Sequence, residues 1–248
     1  MSIEIINPGG SGAPTSDVYV LGSADYSNLA NSVVNPTAAY GVDVAPVSAG
    51  TLDDEFAGSS LNTSTRWTWA NQIGATATVK NSLCSLYSPK VAGDHWHCIL
   101  QAIPAAVTYE VTCKVTPFTA LASDFQGAGM CITDGTANTN KLLFFGFNHT
   151  TNQGIVVNRY SDFQTFVSAT LASAGWTYAV AGPMYLRIKD NSGGNLDFSF
   201  SSDGISWYNL FSYARTTFLT PAYIGLAIES CNASVDMWMS CDWFRRTV

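Results

Sequence analysis

The chain has 248 residues, of which 47% are hydrophobic and 12% aromatic, so it can bury a large core and is not globally disordered. Charged residues are only 12%, about half of the roughly 25% usual in a soluble domain, and 18 acids against 11 bases leave a net charge of −7. This balance argues against a nucleic-acid phosphate backbone as ligand, and no apolar run approaches the ~18 residues of a membrane-spanning helix. A surface so poor in charge must rely on Ser, Thr, Asn and Gly, which suits contact with other protein or with sugars.

Residues 1–50 differ from the rest. The opening MSIEIINPGGSGAPTSD has neither a basic n-region nor an apolar h-region, so no signal peptide is expected. Asn7 to Pro14 is rich in Gly and Pro and reads as a flexible turn. Asp17 to Leu21 predicts one short strand, Leu29 to Val34 an apolar patch broken at Asn35-Pro36, and 42–50 a linker. Such a segment cannot form its own core. It is expected to act as an arm that docks on its own domain, on neighbours or on a larger assembly.

From Thr51 onward β-branched and aromatic runs alternate with Gly, Asn, Asp and Ser turns. The predicted strands are Arg66 to Asn71, Ala75 to Lys80 and Leu83 to Tyr87, then His95 to Ile103 and Val107 to Thr116 as a hairpin around Pro104. Next come Gly129 to Thr133, Lys141 to Asn148, Gly154 to Tyr160, Thr165 to Ala169, Met184 to Lys189 and Leu196 to Phe200. Ile205 to Tyr208, Tyr223 to Ser230 and Val235 to Phe244 complete the set. No stretch of ten residues sustains a helical period and no repeat recurs. The expectation is an all-β, two-sheet antiparallel jelly-roll sandwich over residues 51–248, preceded by the extended arm.

Several groups are candidates for chemistry. His95 and His97 stand at i and i+2, on one face of a strand, and two imidazoles there suit zinc with Asp94 or a thiol nearby. The competing reading is a polar outer face with Trp96 pointing into the core. Asp53-Asp54-Glu55 reads first as a solvated turn and second as a calcium cluster with Asp53 and Asp54 as ligands. His149 has no Ser or Cys nucleophile beside it, so no triad is assigned. Glycoside hydrolysis needs two facing carboxylates. Glu229, Asp236 and Asp242 are separated by apolar residues and form no acid pair, so no catalytic residue is named.

Sugar binding needs aromatic faces with polar groups beside them. Trp69, His95, His97, Trp176 and Tyr178 are the candidates, with core packing as the alternative for the aromatics. Asp203-Gly204 is a tight-turn signal, and Trp207 beyond it is expected in the core. The cysteines at 84, 98, 113, 131, 231 and 241 form no CxxC pair and mostly lie in apolar runs. They read as reduced, buried thiols, with Cys231–Cys241 or Cys84–Cys98 pairing open if the protein matures outside a reducing cytosol.

Three landmarks carry a family resemblance: Leu52-Asp-Asp-Glu-Phe56 with Leu61 and Trp67-Thr-Trp69, Leu186-Arg-Ile188 leading to Phe198 through Trp207, and Tyr223 to Ala227 with Val235 to Phe244. Over residues 51–248 the chain resembles the concanavalin A-like lectin/glucanase jelly roll in its laminin-G-like branch. The glucanases' catalytic acid strand has no counterpart here. The segment from Gly12 to Asp25, with Leu29 and Asn31, is similar to the N-terminal segment of phage tail-fibre and virion appendage proteins. Asp94 to Pro104 and Tyr109 to Thr112 are similar to jelly rolls of phage structural proteins.

Together these resemblances imply a non-enzymatic virion structural protein (tail fibre, appendage or capsid decoration) made in the host cytoplasm. They imply a homotrimer, residues 1–50 in contact with other virion proteins, and a lectin-like domain facing host cell-surface glycan. No cofactor is implied, calcium being the one candidate ion. A secreted lectin and, behind it, a polysaccharide-degrading hydrolase are the alternatives.

Overall fold

A computed structural model describes residues 53–103, 108–118, 125–149, 154–174, 183–231 and 234–247. The N-terminal arm lies outside the described residues, as do Pro104, Trp176 and Tyr178. Fourteen strands are described: β1 Thr68–Ala70, β2 Thr76–Val79, β3 Cys84–Ser88, β4 His97–Ala102, β5 Tyr109–Phe118, β6 Gln126–Thr133 and β7 Leu142–His149, followed by β8 Gly154–Asp162, β9 Thr165–Ala174, β10 Met184–Asp190, β11 Asn195–Ser201, β12 Tyr208–Ala214, β13 Tyr223–Glu229 and β14 Met237–Thr247. There is no helix among them, so the expected all-β class holds.

The strands form two seven-stranded sheets, with every named pairing antiparallel. The order of sheet I is β1-β4-β13-β6-β7-β8-β9, and that of sheet II is β12-β11-β10-β5-β14-β3-β2. The hairpin expected around Pro104 does not form. β4 belongs to sheet I and β5 to sheet II, so this connection carries the chain from one layer to the other. Apolar periodicity marks both segments as strands but does not say which sheet each joins.

The two sheets bury their side chains differently. In β5 every odd residue from Tyr109 to Pro117 is buried while the even ones are half-buried, which is the pattern of a sheet packed on one face. β6 is buried at all eight positions and β13 at all but its first. Their near-continuous apolar runs fit strands covered on both faces. Inward residues such as Ile99, Met130, Phe145 and Leu226 meet Val111, Leu186, Phe198 and Phe244 of sheet II in the main core. Outward residues Cys98, Cys131, Phe144, Val156 and Ala227 pack with Trp96, Tyr160 and Phe163 in a second cluster on the far side of sheet I.

Asp203-Gly204 makes the expected turn. Asp203 Oδ1 accepts from the backbone N–H of Ser206 at 2.7 Å and of Ile205 at 2.8 Å, and from Ser201 Oγ at 2.8 Å. Gly204 takes φ +73°, where it has no Cβ to strain. These bonds occupy the backbone donors of Ile205 and Ser206, so the strand expected at Ile205 begins at Tyr208. Trp207 is not in the core as expected: it is half-buried, with the Arg187 guanidinium 4.1 Å from its ring centre.

The three donors hold the Asp203 carboxyl at about 2, below its ordinary 3.8. A carboxyl depressed in the folded state stabilises the fold above its ordinary range, and that contribution disappears as pH falls through its folded value. An NMR titration of Asp203 is expected to give a midpoint near 2. The stability advantage of the native chain over Asp203→Asn is expected to be full at neutral pH and to vanish as pH drops from about 4 to about 2, read by denaturant midpoints.

Candidate functional site

The second cluster depends on one aromatic ring. Trp96, fully buried, precedes β4 and lies across the outer face of sheet I, 4.1 Å from the Phe144 ring centre and 5.3 Å from that of Tyr160. Its backbone is pinned on both sides: the N–H donates to Phe163 O at 2.9 Å, and the carbonyl accepts from Asn71 Nδ2 at 2.8 Å. The ring rests on Gly127 of β6, where an added Cβ would meet Trp96 Cη2 at 2.2 Å. Only glycine leaves room for it there.

Cross-strand register then brings polar groups beside the ring. Glu229 pairs with Gly127, and Gly127 pairs with Asn148, so both side chains lie in one row on the outer face. Phe144 pairs with Asn158, which carries a second amide onto that face. Next to them opens a cleft of about 330 Å³. Asp94, Cys231, Asn148, Asn158 and Tyr160 line it, and Phe125 and Phe166 stand exposed at 56% and 40%.

Asp94, Glu229 and Cys231 converge here, one ligand atom from each lying within 4.8 Å of the others. Cys231 Sγ–H donates to Asp94 Oδ1 at 3.5 Å. Glu229 is fully buried: its Oε2 accepts from His95 N–H at 3.2 Å, and its Oε1 finds no hydrogen-bond partner among the described residues. Burial, reinforced by Asp94, pushes the Glu229 carboxyl well above its ordinary range. Burial also raises Asp94, against the opposing bond from Cys231. The Cys231 thiol is raised by burial and then by the two carboxylates.

The candidates predicted from the sequence are spread over several places. His97 sits on the same face of β4 as Ile99, toward the main core, and is 2% exposed. Its Nδ1–H donates to Asn71 O at 2.6 Å, and burial lowers its pKa, which keeps the ring neutral. His95 lies before the strand, where Gln164 Nε2 donates to its Nδ1 at 3.1 Å. The strand alternation thus runs opposite to the expectation: Trp96 faces the outer cluster and His97 the interior. Trp69 pairs with Ile99 and packs against the main core, away from the cleft.

Asp53 and Asp54 anchor the start of the domain to β14. Asp54 bridges Phe244 through the backbone, and its Oδ2 accepts from Trp67 Nε1 at 2.7 Å. Asp53 Oδ1 accepts from Arg246 N–H at 2.6 Å, with Arg245 3.7 Å from Oδ2. Arg245 also pairs with Glu55. Neither aspartate joins a metal-ligand cluster among the described residues. The cysteine pairings left open do not form either. Cys84 is in the main core and Cys98 in the outer cluster, while Cys241 faces the core and Cys231 the cleft.

No protein-family profile matches the chain, and no curated sequence matches it. Solved structures do. The GH43 BlXynB protein from Bacillus licheniformis superposes with a TM-score of 0.59 at 15% identity, over 80% of this chain and 39% of that one. This chain therefore spans about two fifths of that protein's length. A functionally unknown protein from Saccharomyces cerevisiae gives 0.53 at 12% identity, over 73% of this chain and 96% of that one. The legume lectin-like domain from Entamoeba histolytica gives 0.50 at 12%, over 73% and 89%.

The fold is a concanavalin A-like jelly roll. At such identities the likeness concerns the fold alone, and the content of the site comes from this chain's own residues.

The acid pair is not expected from the sequence, because its members stand 135 positions apart and only the register of β13 with β4 joins them. One signal is present. Tyr223-Ile-Gly-Leu-Ala-Ile-Glu229 is an apolar run ending in an acid, and a carboxylate on a strand buried on both faces is costly without a partner.

Gly127→Ala is expected to displace the Trp96 ring, cost about 1–3 kcal/mol by overpacking, and change the near-ultraviolet circular dichroism. Gly194→Ala, whose added Cβ approaches nothing closer than 3.8 Å, is expected to leave that spectrum unaltered.

Proposed function

We propose that the jelly roll is a non-enzymatic carbohydrate-binding domain, and that its binding surface is the cleft beside Trp96. The observation that carries this reading is the pairing of two exposed phenylalanine rings, Phe125 and Phe166, with the amides of Asn148 and Asn158 and the carboxyl of Asp94 in one cleft. Apolar ring faces stack on the C–H faces of sugars, and amides and carboxylates bond their hydroxyls. Among the described residues no lysine or arginine lines the cleft, which fits a neutral ligand better than a phosphorylated one.

Within this proposal the domain belongs to a virion structural protein. Residues 1–50 anchor it, copies of the chain associate as a trimer, and the cleft meets host glycan. The support for this part is the resemblance of the arm to virion appendage segments and the low charge of the chain.

A hydrolase reading has one observation in its favour, the Asp94–Glu229 pair. One feature favours binding over hydrolysis: Glu229 sits behind the cleft wall, where it cannot flank a sugar bond.

A glycan array with the full chain is expected to give hits. Phe125→Ala and Phe166→Ala are each expected to weaken the best ligand about tenfold, or about 1.4 kcal/mol, with an unchanged melting temperature. An empty array removes the glycan reading. Release of reducing sugar, abolished by Asp94→Asn, replaces it with the hydrolase.

The assembly half is tested by mass in solution. A trimer is expected for the full chain, and removal of residues 1–50 is expected to abolish particle incorporation. A monomer whose truncation still incorporates overturns it.

A further inference from the structure

We propose that Asp94, Glu229 and Cys231 form a three-ligand site for a zinc-type divalent cation, with its fourth position open to the cleft. The site shares Asp94 and the cleft with the glycan reading but does not rest on it: it needs no sugar, and its test uses metal alone.

The geometry supports it first. The Cys231 Sγ to Asp94 Oδ1 distance is 3.5 Å. Two ligands of one tetrahedral zinc, with Zn–S near 2.3 Å and Zn–O near 2.1 Å, stand about 3.6 Å apart. The Glu229 oxygen closes the triangle within 4.8 Å, so a small side-chain adjustment brings all three onto one ion.

The second observation is independent of the clustering. Glu229 is fully buried, and its Oε1 finds no partner among the described residues. A buried carboxylate oxygen requires a donor or a cation. None of the ion pairs among the described residues involves Asp94 or Glu229, and the described cleft wall offers neither lysine nor arginine.

The donor set then names the ion. A thiolate with two carboxylates is too soft for calcium or magnesium, which take oxygen ligands, and suits zinc. The site is also held firmly. Glu229 ends a strand paired on both sides, and Asp94 is two residues from the pinned Trp96. Asp94 and Cys231 line the cleft, so the remaining coordination position faces it. Three protein ligands with an open fourth position is the arrangement of zinc sites that take an exchangeable ligand.

Cys231 makes the test direct, because it is half-buried while the other five cysteines are buried. The full chain is reduced, stripped with chelator and titrated with zinc chloride, cobalt(II) and calcium, each alone. Zinc is expected to bind at about one equivalent, raise the melting temperature and slow alkylation of Cys231 about tenfold or more. Cobalt(II) is expected to give a thiolate-to-metal absorption band that Cys231→Ser removes. Asp94→Asn and Cys231→Ser, both at half-buried positions, are expected to weaken zinc about tenfold or more while keeping native circular dichroism. Glu229→Gln is expected to do the same wherever it folds. Unchanged alkylation and melting temperature at about 1 mM zinc overturn the site, as does zinc binding retained in both half-buried variants. Calcium protecting as well as zinc also overturns it.

Discussion

The central strands β6 and β13 of sheet I are covered on both faces, the outer one by the chain itself. The Trp96 ring does this by lying on Gly127, and the site follows from that contact. Because Trp96 is fixed from above by Phe163 O and from the side by Asn71, the residues just before it have little freedom. Asp94 and the His95 peptide are therefore held over the end of β13, where Glu229 points outward. A larger residue at 127 would lift the ring and, with it, the group that donates to Glu229 Oε2. Packing and electrostatics are coupled at one glycine.

The sparse charge has a structural use that composition alone does not show. Arg66 and Arg245 pair with Asp53, Asp54 and Glu55, and the backbone N–H of Arg246 donates to Asp53, which ties the start of the domain to its last strand. Arg215 meets the fully buried Asp190 at 2.8 Å, and Lys114 meets Asp242 at 2.6 Å. These pairs fasten sheet II and its rim. Among the described residues the ion-paired cations thus lie on that side of the sandwich, and no lysine or arginine pairs with Asp94 or Glu229 on the outer face of sheet I.

Much of the fold is legible in the sequence because alternation and turn chemistry are local. β3, β10, β11 and β13 fall within a residue or two of expectation, and Asp203-Gly204 turns where its side-chain bonds require. The differences are non-local. The step from β4 to β5 crosses between sheets, and nothing in the two strand sequences distinguishes a crossover from a hairpin. The alternation of β4 suggests the wrong inward face, because β4 is buried on both faces and either parity satisfies an apolar pattern. Size alone places Trp207 in the core, yet a neighbouring arginine can cover an indole as well as a core can. The acid cluster is illegible for the same reason: its members come from a loop before β4 and from the end of β13, brought together only by pairing.

The likeness to lectin-like and GH43 structures adds a constraint to this picture. A jelly roll of this kind has two outer sheet faces, and among the described residues one of them combines exposed aromatics and acids with a cleft whose lining holds no lysine or arginine. The acids also occupy two depths. Asp94 and Cys231 reach the cleft, whereas Glu229 lies beneath its wall. A group at that depth cannot touch a ligand in the cleft directly, so its influence must pass through what it shares with Asp94 and Cys231. A proton or a metal ion at that shared position would set the charge presented at the cleft surface. Ligand preference at the cleft and occupancy of the buried site are therefore linked by electrostatics. If zinc fills the site, a ligand that supplies the fourth donor must tighten zinc by the same factor that zinc tightens the ligand.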